Sequence, residues 1–128
     1  MYAVSSLIPS PLLIVTSGEL GSGSSIIAEM YTLIDNSLVK LCQSGERLWY
    51  YMCEDNVIAS SSVMGQGYGY CYYNYQKNSE LNLIEYVSHD YTTGKKVIQH
   101  SSGKILTEEE AAEIQEKYVE IALELIEL

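Results

Sequence analysis

The sequence predicts a mainly β (α+β) fold: a twisted antiparallel β-meander of about seven to nine short strands with one C-terminal helix. Three observations predict it. Polar turn clusters recur roughly every 8 to 15 residues, with short apolar runs between them. The stretch Leu48 to Tyr75 concentrates the only Trp, seven of the twelve Tyr and two of the three Cys. Aromatic residues suit a pleated, half-buried surface, so this stretch reads as the centre of the sheet. At Thr107 the pattern then changes from turn-punctuated runs to a Glu- and Ala-rich segment with a helix-start signature.

In order along the chain, residues 2 to 8 alternate weakly, as an edge strand would. Pro9 and Pro11 forbid a central strand there, and Pro11 to Val15 reads as a short buried strand opening on a proline. Ser17 to Ser25 is a Gly/Ser loop. Ile26 to Ile34, the turn Asp35-Asn36-Ser37 and Leu38 to Cys42 form a hairpin. A turn at Ser44-Gly45 leads to Leu48–Cys53, apolar on both faces, and Glu54-Asp55-Asn56 turns it into Val57 to Ser60. Ser61 to Gly65 reads as a loose connection before the long Tyr strand, Gln66 to Gln76. Within that strand Tyr68, Tyr70 and Tyr72 share one face; Gly67, Gly69, Cys71, Tyr73 and Tyr75 share the other.

Lys77-Asn78-Ser79 turns again. In Glu80 to Ser88 the apolar phase slips between Leu83 and Ile84, which predicts a bulge. Thr92-Thr93-Gly94 returns the chain through Lys96 to His100. Thr107 and Glu110 are spaced as a capping box, Leu106 is placed to staple onto Ala111, and three acids in the first turn suit the helix dipole. The helix is expected over about residues 107–118. The segment after Tyr118 fits either a strand or a helix, and an extended tail that adds to the sheet is the reading adopted.

Composition bounds the function. At 128 residues the chain is read as a single β-rich domain over residues 1–128, large enough for a core without metals or disulfides. With Tyr at positions where Phe would be usual, that core is expected to be thin and one-sheeted. The net charge of -10 and the lack of clustered Lys and Arg argue against nucleic acid and against an anionic membrane surface. No apolar run is long enough to span a bilayer as a helix. Cys42, Cys53 and Cys71 contain no Cys-x-x-Cys pair, so they predict neither a zinc knuckle nor a thioredoxin-like motif; three buried free thiols are expected, with one disulfide plus one free thiol as the alternative in an oxidising compartment. The opening residues have an apolar patch without a basic region before it, so no export signal is read there; a truncated start is the alternative.

The segment GERLWYYMCEDNVIASSSVMGQGYGYCYYNYQKNSELNLIE (Gly45 to Glu85), Tyr31-Thr32-Leu33 before a polar turn and the ending TEEEAAEIQEKY (Thr107 to Tyr118) together carry a resemblance. They resemble an uncharacterised β-rich domain of secreted and lipoprotein-like proteins of gut Gram-positive bacteria. The resemblance implies an extracellular or cell-surface location; with no signal peptide in the chain, a cytoplasmic one stays open. The family's acidic DIDGDG-type loop, which looks able to bind calcium, corresponds here to Ser5 through Ile14, where no carboxylate stands. A calcium role therefore does not carry over, and no cofactor or metal is expected.

Catalytic readings fare poorly. Ser88, His89 and Asp90 are sequence neighbours on a strand and point to alternating faces, unlike a triad. Cys53 or Cys71 with His89 or His100 lacks the cationic or helix-N-terminal surroundings that lower a thiol pKa. Gly65, Gly67 and Gly69 run straight into a strand without the Lys and helix of a phosphate loop. Glu54 and Asp55 lie in a turn, and Glu29, Glu80 and Glu85 are scattered, so solvated acids rather than a paired-carboxylate cleft are expected. The expected function is thus a non-catalytic interaction or structural module, with a carbohydrate- or cell-wall-binding domain as the alternative. The candidate contact residues are Trp49, Tyr68, Tyr70 and Tyr72, whose rings could meet a glycan, a protein partner or a second copy in a homodimer. The competing arrangement packs the same rings beneath the C-terminal helix.

Overall fold

The computed structural model describes residues 2–5, 12–16, 26–76, 80–121 and 126–127. The expected Gly/Ser loop at Ser17 to Ser25 and the turn at Lys77 to Ser79 lie outside the described residues. The fold is mainly β with one C-terminal helix. Its strands are β1 (Tyr2–Ser5), β2 (Leu12–Thr16), β3 (Ile26–Ile27), β4 (Glu29–Ile34), β5 (Ser37–Gln43), β6 (Leu48–Met52), β7 (Val57–Met64), β8 (Gly67–Gln76), β9 (Glu80–Asp90), β10 (Val97–His100) and β11 (Ile105–Leu106), then helix α1 (Glu108–Glu116) and β12 (Ile126–Glu127).

They form two sheets, ordered β12-β1-β2-β4-β5 and β11-β10-β9-β8-β7-β6-β3. From β6 to β11 the second sheet is an uninterrupted antiparallel meander, as expected. Two hairpin turns, Asp35-Asn36 between β4 and β5 in the first sheet and Asp55-Asn56 between β6 and β7 in the second, have all four residues at positive φ (48° to 64°). Such two-residue turns match the twist of the flanking strands, and Asp and Asn tolerate that backbone region where other side chains resist it.

The core has more layers than the thin one-sheet core expected from the Tyr content. Ile14, Met30 and Cys42 of the first sheet pack on Ile27, Met52 and Ile58 of the second. Thr32 on β4 and Tyr75 on β8 bridge the two sheets through their hydroxyls at 2.7 Å. On the opposite face of the second sheet, Cys53, Val57, Ala59 and Tyr72 pack against Ile114 and Tyr118, and Val87, Ile98 and Leu106 pack against Ala111 and Ile114. The seven-stranded sheet is therefore covered on both sides, which explains the apolar character of both faces of β6 and the buried run Val57 to Ser60.

Strand β7 continues to Met64, past the loose connection expected from Ser61. Ser61 and Ser62 find backbone partners in both β6 and β8, and the Val63 N–H donates to the Arg47 carbonyl at 2.9 Å. Pairing on both sides outweighs the weak strand propensity of serine. In β9 the register shifts as the apolar phase predicted: Glu85 opposes Tyr72 and Leu83 opposes Tyr73, leaving Ile84 as the extra residue. The bulge sends Leu81 to the inter-sheet core and keeps Val87 under the helix.

The capping box forms in full. Thr107 Oγ1 accepts from the Glu110 N–H, and Glu110 Oε1 accepts from the Thr107 N–H, each at 3.1 Å. After the turn at Lys117 and Tyr118, residues 119–121 run alongside residues 52–54. Glu54 N–H donates to the Val119 carbonyl, Ile121 N–H donates to the Met52 carbonyl, and Glu120 bridges Cys53. The tail thus adds to the sheet edge next to β6. Among the described residues, no helix is long and apolar enough to cross a membrane.

Candidate functional site

The helix-side face of the second sheet is where the candidate contact residues meet. Cross-strand register places Trp49, Ser61, Tyr70 and Val87 in one row and Tyr51, Ala59, Tyr72 and Glu85 in the next. Directly opposed residues share a face, so Trp49, Tyr51, Tyr68, Tyr70 and Tyr72 all lie on the side that carries α1. The helix divides them. Tyr72 is 2% exposed, and Tyr118 stacks on it at 3.9 Å between ring centroids with 12° between planes. Tyr51, Tyr68 and Tyr70 are half-buried, and Trp49 is 38% exposed. The Tyr68, Tyr70 and Tyr72 row is thus not an open ladder. One end is packed under its own helix, while the side toward Trp49 is left partly open.

Tyr118 also ties down Glu85, the residue opposite Tyr72. Its hydroxyl donates to Glu85 Oε2, which also accepts from Lys117 Nζ at 2.9 Å, while Glu85 Oε1 lies 2.8 Å from His100 Nε2. Burial alone would raise the Glu85 carboxyl, but the Tyr118, His100 and Lys117 donors outweigh it and hold the pKa at about 2. Glu85, expected from sequence to be one of the scattered solvated acids, is instead a largely buried anion beside an aromatic stack. Its signal was present only as strand register, because Glu85 and His100 are separated by 15 residues.

His100 extends the chain of contacts. Ser102 Oγ is 2.8 Å from Nδ1, and the Ser102 N–H donates to the same nitrogen at 3.1 Å. Since Nδ1 accepts that N–H, Nε2 carries the proton toward Glu85. The connectivity Ser102, His100, Glu85 has the order of a hydrolytic triad. However, the local N–H groups that an oxyanion would require are already engaged: Ser102 with Nδ1, Gly103 with the His100 carbonyl at 2.8 Å and Lys104 with Ser102 Oγ at 3.4 Å. The arrangement closes a turn and pins β10 to β9.

His89 and Asp90 separate to opposite sides of the sheet, as their adjacency required. His89 is 8% exposed, stacks on Tyr68 at 4.4 Å and meets Tyr70 edge-on at 6.1 Å. Its Nδ1 is buried and, among the described residues, finds no hydrogen-bond partner. Burial and then the nearby Lys96 push its pKa down, so it is neutral at neutral pH. Asp90 Oδ1 instead accepts from the Thr92 N–H at 2.8 Å and from its hydroxyl, fixing the turn. Lys96 pairs with Glu108 at 2.8 Å and lies 5.9 Å from the Tyr68 ring centroid, linking the sheet to the first turn of α1.

Two cavities flank the helix. One, of about 150 Å³, lies among Tyr68, Tyr70, His89, Lys96, Glu108 and Gln115. The other, of about 390 Å³, lies among Tyr51, Tyr72, Gln115, Glu116, Tyr118 and Glu120. Cys42 and Cys53 are buried and reduced, with thiols pushed up by burial to about 12 and about 11, so neither is a ready nucleophile. Among the described residues, no three His, Cys, Asp or Glu side chains converge to hold a metal ion. No protein-family model, curated protein or solved structure matches the chain.

Proposed function

We propose that this chain is a non-catalytic interaction module, part of a cell-surface or exported bacterial protein, and that it binds through the part of its aromatic face that α1 leaves uncovered. The observation that carries this reading is the division of that face. The helix seals Tyr72, whereas Trp49 stays 38% exposed in the same row as half-buried Tyr70. Rigid, partly open Trp and Tyr rings offer contact area at low entropic cost, and such residues are enriched at interfaces. The exported location rests on the family resemblance of Gly45 to Glu85 and Thr107 to Tyr118.

A glycan is the second reading, supported by the partly exposed Trp49 ring in the same row as half-buried Tyr70, since such rings can stack on a sugar. A parallel screen of a glycan array and a peptide library with the wild type and Tyr70→Ala tests the proposal. A ligand that binds the wild type and is lost on Tyr70→Ala, at unchanged secondary structure, is the expected result. Its chemical class decides between the two readings. Ligands that bind both chains equally would place the contact elsewhere and overturn it.

A further inference from the structure

We infer that α1 is a lid hinged at its C-terminal end, and that proton uptake by His89 releases its N-terminal end from the sheet. The inference goes beyond the binding role proposed above and stands on packing alone. His89 and the helix residues Glu108, Ala111, Ala112 and Gln115 line the same cavity of about 150 Å³. The His89 ring is held flat against Tyr68 at 4.4 Å and edge-on to Tyr70. Its Nδ1 is sealed from solvent and has no partner among the described residues. A neutral ring can leave one nitrogen as an idle acceptor. A protonated ring carries a donor on both nitrogens, and a buried Nδ1–H would have no acceptor among those residues.

The surroundings of His89 oppose the charged ring. Tyr68 and Tyr70 face it from β8, Tyr91 lies beyond Tyr68 at 6.2 Å, and its β10 neighbour Ile98 is apolar. The charged groups are Lys96, ahead of β10, and Glu108, in the first turn of α1. Glu108 attracts an imidazolium but is already paired with Lys96 at 2.8 Å. Burial first, and then Lys96, outweigh it and hold the His89 pKa below its ordinary 6.5. Asp90, next on the strand, is turned to the other face and holds Thr92.

Lifting α1 opens the ring to water and disturbs little else, because the helix is lightly seated. Of its nine residues only Ala111 is buried, and cavities of about 150 Å³ and 390 Å³ flank it. Elements with few buried apolar contacts open first. The sheet beneath is held by ladders on both sides of β8 and β9. The C-terminal end of the helix stays fastened: Tyr118 stacks on Tyr72 and donates to Glu85, which is still ionised where His89 titrates, since its pKa is about 2. The end that swings is therefore the one tied by Lys96 and Glu108, which uncovers Tyr68 and Tyr70 and leaves Tyr72 covered. Opening also exposes Val87, Ile98 and Leu106, which pack on Ala111, so the open form stays a minor population.

The test is amide hydrogen exchange of the full chain between about pH 7.5 and 5, with the intrinsic pH dependence of exchange divided out. His89 holds its proton more tightly in the open form, so that form grows as the pH falls below 6.5 and levels off below the closed-form pKa. Within that window the opening constant of Ala111 to Gln115 is expected to rise by up to about tenfold per pH unit. Ala59 and Tyr72, paired at the centre of the sheet, are expected to exchange at least about tenfold more slowly at every pH. His89→Phe keeps a ring against Tyr68 and takes up no proton, so it is expected to abolish the pH dependence in α1. An NMR titration of the wild-type His89 ring gives a second readout that needs no variant. Its midpoint is expected below 6.5, at the pH where α1 opening levels off. Exchange of α1 at the rate of Ala59 and Tyr72 would mean that the helix leaves only on global unfolding, and would overturn the inference. So would a pH dependence that survives His89→Phe, or a His89 midpoint at or above 6.5.

Discussion

At the scale of residues, one tyrosine does the work of a joint. Tyr118 stacks on Tyr72 and donates to Glu85, so it fastens the end of the helix to two opposed sheet positions at once. Tyr118→Phe keeps the stack and removes the hydroxyl. Losing a hydrogen bond to a charged, largely buried acceptor should cost about 1.5 kcal/mol, read as a lower urea midpoint at unchanged slope. Glu85 also fixes an acid limb. Its folded pKa is held at about 2, below the ordinary 4.5, so its contribution is present above pH 4.5 and is lost as the pH falls toward 2. His89 acts in a higher window. Its folded pKa lies below the ordinary 6.5, so the unfolded chain takes up the proton first and stability begins to fall as the pH drops below 6.5. Urea midpoints measured across pH should show both declines. His89→Phe should flatten the upper one and leave the lower one, whereas Glu85→Gln should lower the midpoint at neutral pH and flatten the lower one.

At the scale of elements, the structure repeats much of what the sequence states locally. The capping box at Thr107 and Glu110, the Asp-Asn turns and the bulge beside Ile84 are each written in adjacent residues, so they are legible without tertiary information. Thr107→Ala should cost about 1 kcal/mol and lower the thermal midpoint, because one side of the reciprocal cap is gone. What is decided by strand pairing is less legible. Ser61 to Met64 has little strand propensity of its own and is extended because β6 and β8 supply partners. Gly67 is a similar case. A Cβ there would lie 2.4 Å from the His89 carbonyl oxygen, so Gly67→Ala must push β8 from β9. The expected loss is about 1–3 kcal/mol, with the largest shifts in hydrogen exchange at Tyr68 and His89.

At the scale of the whole molecule, the meander is one layer among three: a first sheet on one face and a helix on the other. Leu48 to Met52 and Val57 to Ser60 are apolar on both faces, which announces a doubly covered sheet, yet nothing in sequence names the two covers. The candidate site was legible to the same degree. Alternation along β8 places Tyr68, Tyr70 and Tyr72 on one face, and register adds Trp49 and Tyr51. The helix lands on Tyr72 and leaves Trp49 open because Ala111 and Ile114 dock over Val87, Ile98 and Leu106, a long-range choice invisible to local pattern. The measurement that tests the binding account most directly uses the single Trp as its own reporter. Trp49 emission is followed, under excitation that tyrosine does not absorb, while the best ligand from the glycan and peptide screens is added. The account predicts a saturable change in emission that disappears in Tyr70→Ala; saturable binding that leaves Trp49 emission unmoved would contradict it.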